Sequence, residues 1–149
     1  EKFSNDPEID IKIRGVNYDT NNYIIQPHVL VCRNHHHQVF KEEFFGPILA
    51  IYPYKDDKIE DTISLALNEN NYALTGSIFS TDSKFTKKMQ TKFKHKTGNF
   101  YINDKSTGSV VGQQPFGGSG KSGTNDKAGD INLLYRILNQ RNIKINYEI

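Results

Sequence analysis

The middle of this 149-residue chain alternates between strand-like and helical segments. Residues 47–54 form a continuous apolar run, as buried strands do, and residues 74–80 and 98–103 are two further short strand-like segments. The segments between them, residues 58–68 and 80–94, repeat apolar side chains at helical spacing. Strands that alternate with helices of this length form right-handed βαβ units on a parallel sheet. The pattern therefore predicts an α/β fold with a βαβαβ order.

Both ends of the chain carry further predicted elements. Residues 9–13 alternate apolar and charged side chains, which predicts a half-buried strand. Residues 23–32 form a second extended segment, interrupted by Pro27. Residues 141–149 alternate again, and we expect an edge strand there that can pair with another chain. A last helix is predicted from a stripe of apolar residues: Ile131, Leu134, Tyr135 and Leu138.

The first of the two central helices has its own start signal. Asp57 is followed three residues later by Glu60, which is the spacing of a capping box. We therefore expect this helix to begin just after Asp57. Its apolar face is predicted from four residues: Ile59, Ile63, Ala66 and Leu67.

Charge, cysteine content and hydropathy exclude several classes of protein. The 19 basic and 17 acidic residues leave a net charge of +2, too small to predict binding to nucleic acid or to a membrane surface. No apolar run approaches the roughly 20 residues of a membrane-spanning helix. The single cysteine excludes an internal disulfide and suits a reducing compartment. Because the chain begins at Glu1 without a signal-like segment, we expect a piece of a longer protein.

A long glycine-rich loop follows the last strand of the alternating region. Ligands of α/β proteins bind at the carboxyl ends of strands, and long irregular loops are commonly functional. Residues 112–124, GQQPFGGSGKSGT, contain the Gly-Lys-Ser step of a phosphate-binding P-loop. A P-loop requires glycine five residues before Gly120, where this chain has Pro115. We therefore reject nucleotide phosphate as the ligand of this loop and regard Lys121 as a bystander.

A run of histidines raises the question of a metal site. His35, His36 and His37 follow Cys32 closely, and His28 is near in sequence. Adjacent histidines point to different sides in a helix or a strand, whereas zinc needs ligands that converge. We therefore favour an exposed polar insertion and predict no metal. Cys32 is interpreted as a small buried hydrophobe, because a nucleophilic cysteine would need a base beside it.

A second polar motif precedes the first buried strand of the alternating region. Glu42 and Glu43 come just before two phenylalanines and the Gly46-Pro47 step. A carboxylate accepts hydrogen bonds in pairs and can hold a vicinal diol such as a ribose. The same residues also suit a helix end with surface glutamates, and the residues alone leave both interpretations open.

Three motifs occur in a fixed order along the chain: EEFFGP at residues 42–47, GNFYIND at residues 98–104 and PFGG at residues 115–118. Together they resemble the C-terminal part of the aldehyde dehydrogenase superfamily. The longer stretch STGSVVGQQPFGG, residues 106–118, is similar to the branch of that family that oxidises glutamate γ-semialdehyde. The resemblance covers residues 9–144, nearly the whole chain.

The resemblance implies roles for five residues. In the family pattern, Glu43 holds the hydroxyls of the nicotinamide ribose, and Phe45 packs beside that ribose. Gly108 and Ser109 match the loop that binds the α-carboxylate of the substrate. Phe116 matches an aromatic residue that packs against the aliphatic chain of the substrate.

The resemblance also implies an activity and partners. The expected reaction is the NAD-dependent oxidation of glutamate γ-semialdehyde to glutamate in proline breakdown, by a homo-oligomer. The expected location is the mitochondrial matrix in a eukaryote and the cytoplasm otherwise. The catalytic cysteine and the dinucleotide-binding domain of the family lie upstream of this chain. The missing N-terminal portion is therefore an expected partner, and the chain alone is expected to be inactive.

The resemblance divides the chain at residue 140. Residues 1–140 are expected to be part of the catalytic domain, and residues 141–149 an oligomerisation strand. Two alternatives remain open: a carboxylate-binding module without chemistry, and a module that serves assembly alone.

Overall fold

The chain folds into two compact units, residues 1–71 and 72–149. The computed structural model describes residues 2–13, 18–19, 21–110 and 112–148. Each unit combines strands and helices, so the predicted α/β class is confirmed.

The first unit is built on a three-stranded sheet. The strands of the whole unit, in chain order, are β1 (Ile9–Ile13), β2 (Tyr18–Asp19), β3 (Ile24–Ile25), β4 (His28–Cys32) and β5 (Ile48–Ile51). β4 lies between β1 and β5, antiparallel to β1 and parallel to β5. β2 and β3 form a separate antiparallel pair. The strand predicted for residues 9–13 is confirmed, and Pro27 separates β3 from β4 as predicted.

The core of this unit lies against β1 and β4. Its buried apolar residues are Ile9, Leu30, Cys32 and Val39. The Cys32 side chain is 0% exposed, and its thiol donates to the Asn34 carbonyl oxygen over 3.5 Å. The interpretation of Cys32 as a small buried hydrophobe is confirmed.

The first long helix, α1 (Ile59–Asn68), does not begin with the predicted capping box. Its N-cap is Lys58, whose side chain makes no capping hydrogen bond. Asp57 lies inside a short 3-10 helix, Asp56–Lys58, that leads directly into α1. Because Asp57 already belongs to this turn, it does not take the extended N-cap conformation that a capping box requires. The apolar face packs through Ile63, which is buried.

The second unit contains one complete βαβ crossover. Its elements are β6 (Tyr72–Ala73), β7 (Thr75–Ile78), α2 (Ser83–Phe93), β8 (Asn99–Ile102), β9 (Ser119–Gly120) and α3 (Ile131–Ile137). β7 and β8 pair in parallel, and α2 connects them. This confirms the second half of the predicted βαβαβ pattern. A pairing that the sequence did not reveal joins β6 in antiparallel orientation to β9, which lies within the glycine-rich loop.

The crossover helix α2 has the features that the sequence pattern requires. The Asp82 carboxylate caps its start by accepting from the amides of Lys84 (2.8 Å) and Phe85 (3.3 Å). Met89 is 1% exposed at the centre of the apolar stripe. Phe93 stacks on Phe100 of β8, with ring centroids 5.3 Å apart. The helix is therefore packed directly against the strand that leads into the candidate loop.

The C-terminal segment presents apolar side chains to solvent. The predicted last helix is present as α3, but its stripe is exposed at Ile131 (64%), Leu134 (49%), Tyr135 (71%) and Leu138 (62%). Residues 138–148 belong to no helix or strand, so the predicted edge strand stays a prediction. Within the described ranges, no helix combines the length and apolar character needed to cross a membrane.

Candidate functional site

The candidate anchoring loop starts where β8 ends. Gly108 has φ +95°, a left-handed conformation that side chains disfavour. A Cβ at this position would meet no atom within 4 Å, so the backbone conformation and not crowding calls for glycine. The backbone around Gly108 is therefore open to a small ligand.

Ser109, the next residue, is tied to β8. Its Oγ accepts from the Asn99 side-chain amide at 3.3 Å and lies 3.4 Å from the Tyr101 hydroxyl. Asn99 and Tyr101 are two residues apart in the strand, so their side chains lie on the same face. The Tyr101 hydroxyl also donates to Gln114 Oε1 over 3.4 Å. Strand β8 thus fixes the position of the Ser109 hydroxyl.

A half-buried lysine, Lys127, connects the loop to the β8 region. Lys127 Nζ donates to the Gly98 carbonyl oxygen (2.5 Å), to Asn99 Oδ1 (3.0 Å) and to the Gly117 carbonyl oxygen (3.1 Å). These three acceptors match the three donors of an ammonium group. Burial lowers the pKa of Lys127, and the nearby Tyr101 phenol acts in the opposite direction. The ammonium group of Lys127 therefore holds the loop to the strand.

Phe116 lies between the points at which Asn99 holds the loop. The Asn99 amide donates to the Pro115 carbonyl oxygen at 3.0 Å, and Asn99 Oδ1 accepts from the Gly117 amide at 3.5 Å. Phe116 itself exchanges two backbone hydrogen bonds with Ala128, at 3.0 and 2.8 Å. One side chain, Asn99, therefore connects Ser109 with both neighbours of Phe116. The structure brings Ser109 and the backbone around Phe116 into a single hydrogen-bonded network, which Gly108 adjoins as the residue before Ser109.

The strand and loop approach each other so closely that one glycine is obligatory. A Cβ built on Gly98 would lie 1.9 Å from the Gly117 carbonyl oxygen and 2.7 Å from that of Leu74. Both contacts involve backbone atoms, which cannot move aside as a flexible side chain can. The glycine allows the contact that Lys127 then bridges.

The two other predicted residues, Glu43 and Phe45, lie in the first unit. Glu42 is engaged by Lys2 at 2.5 Å and by the Gln38 side chain. Glu43, in contrast, is exposed and forms no hydrogen bond or ion pair within the described part of the chain. Only one of the two adjacent carboxylates is therefore available to a ligand, and it is the predicted one.

Phe45 is 96% exposed beside this free carboxylate. Both side chains line a cavity of about 460 Å³, whose wall also includes Phe44 and Ile48. The turn that carries them is tight, because the Gly46 amide donates to the Phe44 carbonyl oxygen at 2.8 Å. A carboxylate without a protein partner next to an unpacked aromatic ring fits a hydroxyl-bearing ligand with a flat face.

One histidine departs from the predicted exposed polar insertion. The His37 side chain is only 8% exposed, and its Nε2 lies 3.0 Å from Asp6 Oδ2. Its Nδ1 accepts from the Val39 amide at 3.0 Å and caps the 3-10 helix Gln38–Phe40. The prediction of an exposed insertion is therefore wrong for His37. The hydrogen bond from the Glu8 amide contributes most to lowering the pKa of Asp6, and the hydrogen bond with His37 lowers this pKa further.

Sequence reasoning missed the residues that support the loop. The sequence pattern places Asn99 and Tyr101 in a strand and assigns no role to Lys127. The period-2 alternation of β8 places Asn99 and Tyr101 on one face, which was the signal available for them. Lys127 carries no local signal, because its partners lie 10 to 29 residues away in the chain.

Comparison with known proteins identifies the fold. Residues 8–143 match the aldehyde dehydrogenase family. A probable delta-1-pyrroline-5-carboxylate dehydrogenase of Schizosaccharomyces pombe is 43% identical over 97% of this chain and 26% of the relative. The mitochondrial delta-1-pyrroline-5-carboxylate dehydrogenase of Homo sapiens is 40% identical over the same shares of the two chains. This chain thus spans about a quarter of the length of these relatives.

Solved structures give the same result. The delta-pyrroline-5-carboxylate dehydrogenase of Mycobacterium tuberculosis bound with NAD superimposes with a TM-score of 0.76 at 34% identity, covering 91% of this chain and 24% of that one. The Thermus 1-pyrroline-5-carboxylate dehydrogenase with bound NAD gives a TM-score of 0.73 at 34% identity, covering 86% and 24%. The match to residues 8–143 covers most of the sequence, and the chain belongs to the aldehyde dehydrogenase family.

Proposed function

We propose that this chain is the C-terminal portion of an NAD-dependent dehydrogenase that oxidises L-glutamate γ-semialdehyde to L-glutamate. The names of the relatives and the NAD-bound neighbours support this assignment. The observation that carries it is the network in which Asn99 and Lys127 hold Ser109 and both neighbours of Phe116 together, with Gly108 next to Ser109 in the chain. Such a network preorganises donors for a small anionic ligand.

The loop residues divide the binding of the substrate between them. The backbone amides around Gly108 and the Ser109 hydroxyl donate to the α-carboxylate, and Phe116 covers the methylene groups. Lys127 takes no direct part, because its three hydrogen bonds already go to the protein. Fixing the carboxylate holds the aldehyde carbon at a set distance from the reacting groups, and positioning of this kind supplies a large share of many rate enhancements.

NAD supplies the hydride acceptor when it is bound. The free Glu43 carboxylate accepts hydrogen bonds from the hydroxyls of the nicotinamide ribose, and the exposed Phe45 ring packs beside that sugar. The thiolate that attacks the aldehyde comes from the N-terminal portion of the enzyme, since Cys32 is the only cysteine of this chain and is fully buried. The relatives named mitochondrial support a mitochondrial matrix location if the protein is eukaryotic.

A chimera tests this function. Residues 8–143 replace the matching segment of the human relative, and NADH formation from glutamate γ-semialdehyde is followed by absorbance. We expect turnover comparable to the parent enzyme and none when Glu43 is changed to Ala together with Phe45→Ala. A soluble, folded chimera that binds NAD without producing NADH would contradict the proposal.

An assembly role for the C-terminal segment is a second proposal. The alternating residues Ile143, Ile145 and Tyr147 are 68%, 62% and 87% exposed. We infer that residues 141–149 pair as a strand with another copy of the chain, because strand edges and apolar side chains left open favour such pairing. Light scattering of the chain and of a version that ends at residue 140 tests this. The chain is expected to be oligomeric and the shortened version monomeric, and equal masses would contradict the proposal.

A further inference from the structure

Two histidines and a glutamate converge in the first unit, away from the candidate site. His35, His36 and Glu69 each offer one ligand atom, and these atoms all lie within 4.8 Å of one another. His36 Nδ1 is 3.5 Å from Glu69 Oε1. Two ligands of one tetrahedral Zn²⁺, each bound at about 2.0–2.1 Å, lie roughly 3.4 Å apart. We propose that these three residues form a binding site for a divalent transition metal of the zinc type.

Backbone conformation makes this convergence possible. The expectation that adjacent histidines diverge applies to helices and strands, but His35 and His36 lie in a turn. Their ring centroids are 3.9 Å apart with an interplanar angle of 47°. The rings therefore face the same region, and the sequence argument against a metal does not apply here.

Hydrogen bonds within the protein hold the turn at His35 and His36 in place. The Asn34 side-chain oxygen accepts from the His36 amide at 3.0 Å, and the Asn34 carbonyl oxygen accepts from the His37 amide at 3.1 Å. The Asn34 amide group donates to both oxygens of Glu8, at 3.0 and 3.1 Å. Glu69 is placed from the other side as the C-cap of α1, with its amide bonded to the Leu65 carbonyl oxygen. The ligands therefore need little reorganisation to bind an ion.

The availability of the ligand atoms favours this cluster over a second one. Asp6, Glu8 and His37 also lie close together, but both ring nitrogens of His37 are already used, by Asp6 and by the Val39 amide. The His35 ring, in contrast, makes only ring contacts within the described residues, with His36 and Tyr52. A free imidazole can accept a metal without breaking an existing hydrogen bond.

The site has an entry path and a suitable ligand set. His35 and Glu69 line a cavity of about 320 Å³ that opens to solvent. Two imidazoles and one carboxylate suit Zn²⁺, Ni²⁺ and Cu²⁺, whereas Mg²⁺ and Ca²⁺ prefer oxygen ligands. Three protein ligands leave a fourth tetrahedral position for water. A bound ion would connect the turn at residues 35–36 to the end of α1 and stabilise the first unit.

Calorimetric titration of the untagged chain with ZnCl₂ tests the proposal independently of any dehydrogenase activity. We expect one Zn²⁺ per chain and a melting temperature raised by about 5–10 °C at a Zn²⁺ concentration one hundred times Kd. H35A, H36A and the isosteric E69Q should each weaken binding at least about tenfold, because losing even an outer-shell partner of a metal ligand typically costs that much. His95→Ala, at an exposed histidine outside the cluster, should leave binding unchanged.

The outcomes separate a real site from non-specific binding. Circular dichroism establishes that each variant is folded, and E69Q keeps the shape of the side chain. Absence of Zn²⁺ uptake by the native chain would overturn the proposal. It would also be overturned by stoichiometric uptake that survives in the H35A/H36A double variant, or by equal weakening in His95→Ala.

Discussion

Replacing Lys127 with methionine should destabilise the second unit more than any other single change of a lysine in the loop. The substitution keeps an unbranched side chain but removes the ammonium group that donates to two backbone carbonyls and to Asn99. Asn99 Oδ1 keeps the Gly117 amide as a donor, but the Gly98 and Gly117 carbonyls lose theirs. Leaving an acceptor unpaired in a half-buried position costs about 1.5 kcal/mol, or about 3 kcal/mol for the two carbonyls. Relief from burying the lysine charge offsets part of this cost, so we expect a net loss of about 2 kcal/mol.

Urea unfolding followed by circular dichroism measures this loss. For a slope of roughly 2 kcal/mol per molar urea, the midpoint should fall by about 1 M. The matched control is Lys121→Met in the same loop, because Lys121 is exposed and only approaches the Tyr72 ring, at 5.9 Å. We expect the control to change stability by at most about 1 kcal/mol. Equal midpoints for the two variants would refute the role assigned to Lys127.

The pH dependence of the same pair gives a second check. Burial lowers the pKa of Lys127 from its ordinary 10.5. Between the lowered pKa and 10.5 the folded chain has lost this proton and the unfolded chain keeps it, so unfolding takes up a proton. Rising pH therefore disfavours unfolding in that window. The stability of the native chain relative to K127M should increase as the pH rises through it, and a decrease would contradict the burial of the charge.

Further predictions concern a cap, a close contact and activity. Asp82→Ala should cost about 1 kcal/mol by removing the α2 cap, whereas Asp57→Ala should cost about 0.5 kcal/mol or less; equal costs in urea unfolding would contradict the helix starts described. Gly98→Ala should cost about 1–3 kcal/mol or prevent folding, and Gly46→Ala, with open space around it, should be nearly neutral in thermal melts. The chain alone should produce no NADH from NAD and glutamate γ-semialdehyde, and clear turnover would contradict the assignment.

Elements with a local period could be predicted from the sequence. The alternation of residues 9–13 and the helical stripe through Met89 correspond to β1 and α2, because both patterns depend only on neighbours a few residues away. The pairing of β6 with β9 could not be predicted in this way. Each strand has two residues, and the pairing depends on the glycine-rich loop and on Ser122, whose hydroxyl oxygen accepts from the Ala73 amide at 3.0 Å.

Prediction of the candidate site was limited by the same distinction between local patterns and contacts with residues distant in the chain. The motifs pointed to Glu43, Ser109 and Phe116, but not to the residues that position the loop. Lys127 and Asn99 are 28 residues apart and meet only in the folded chain. The histidine cluster was missed for a different reason. Adjacent histidines point to different sides in a helix or a strand, but His35 and His36 lie in a turn. Glycines that suggested a phosphate loop instead allow close backbone contact, as at Gly118, where a Cβ would lie 2.3 Å from the Ser122 carbonyl oxygen.

The central claim is that this chain recognises the α-carboxylate of the substrate, and substrate selectivity tests it most directly. In the chimera with the human relative, kcat/KM is measured for glutamate γ-semialdehyde and for propanal, which has no carboxylate, with native Ser109 and with Ser109→Ala. A hydrogen bond to a charged group contributes about 1.5–3 kcal/mol, so S109A should lower kcat/KM for glutamate γ-semialdehyde about 10- to 100-fold, and not for propanal. An equal fall for both aldehydes, or no fall for either, would contradict the claim.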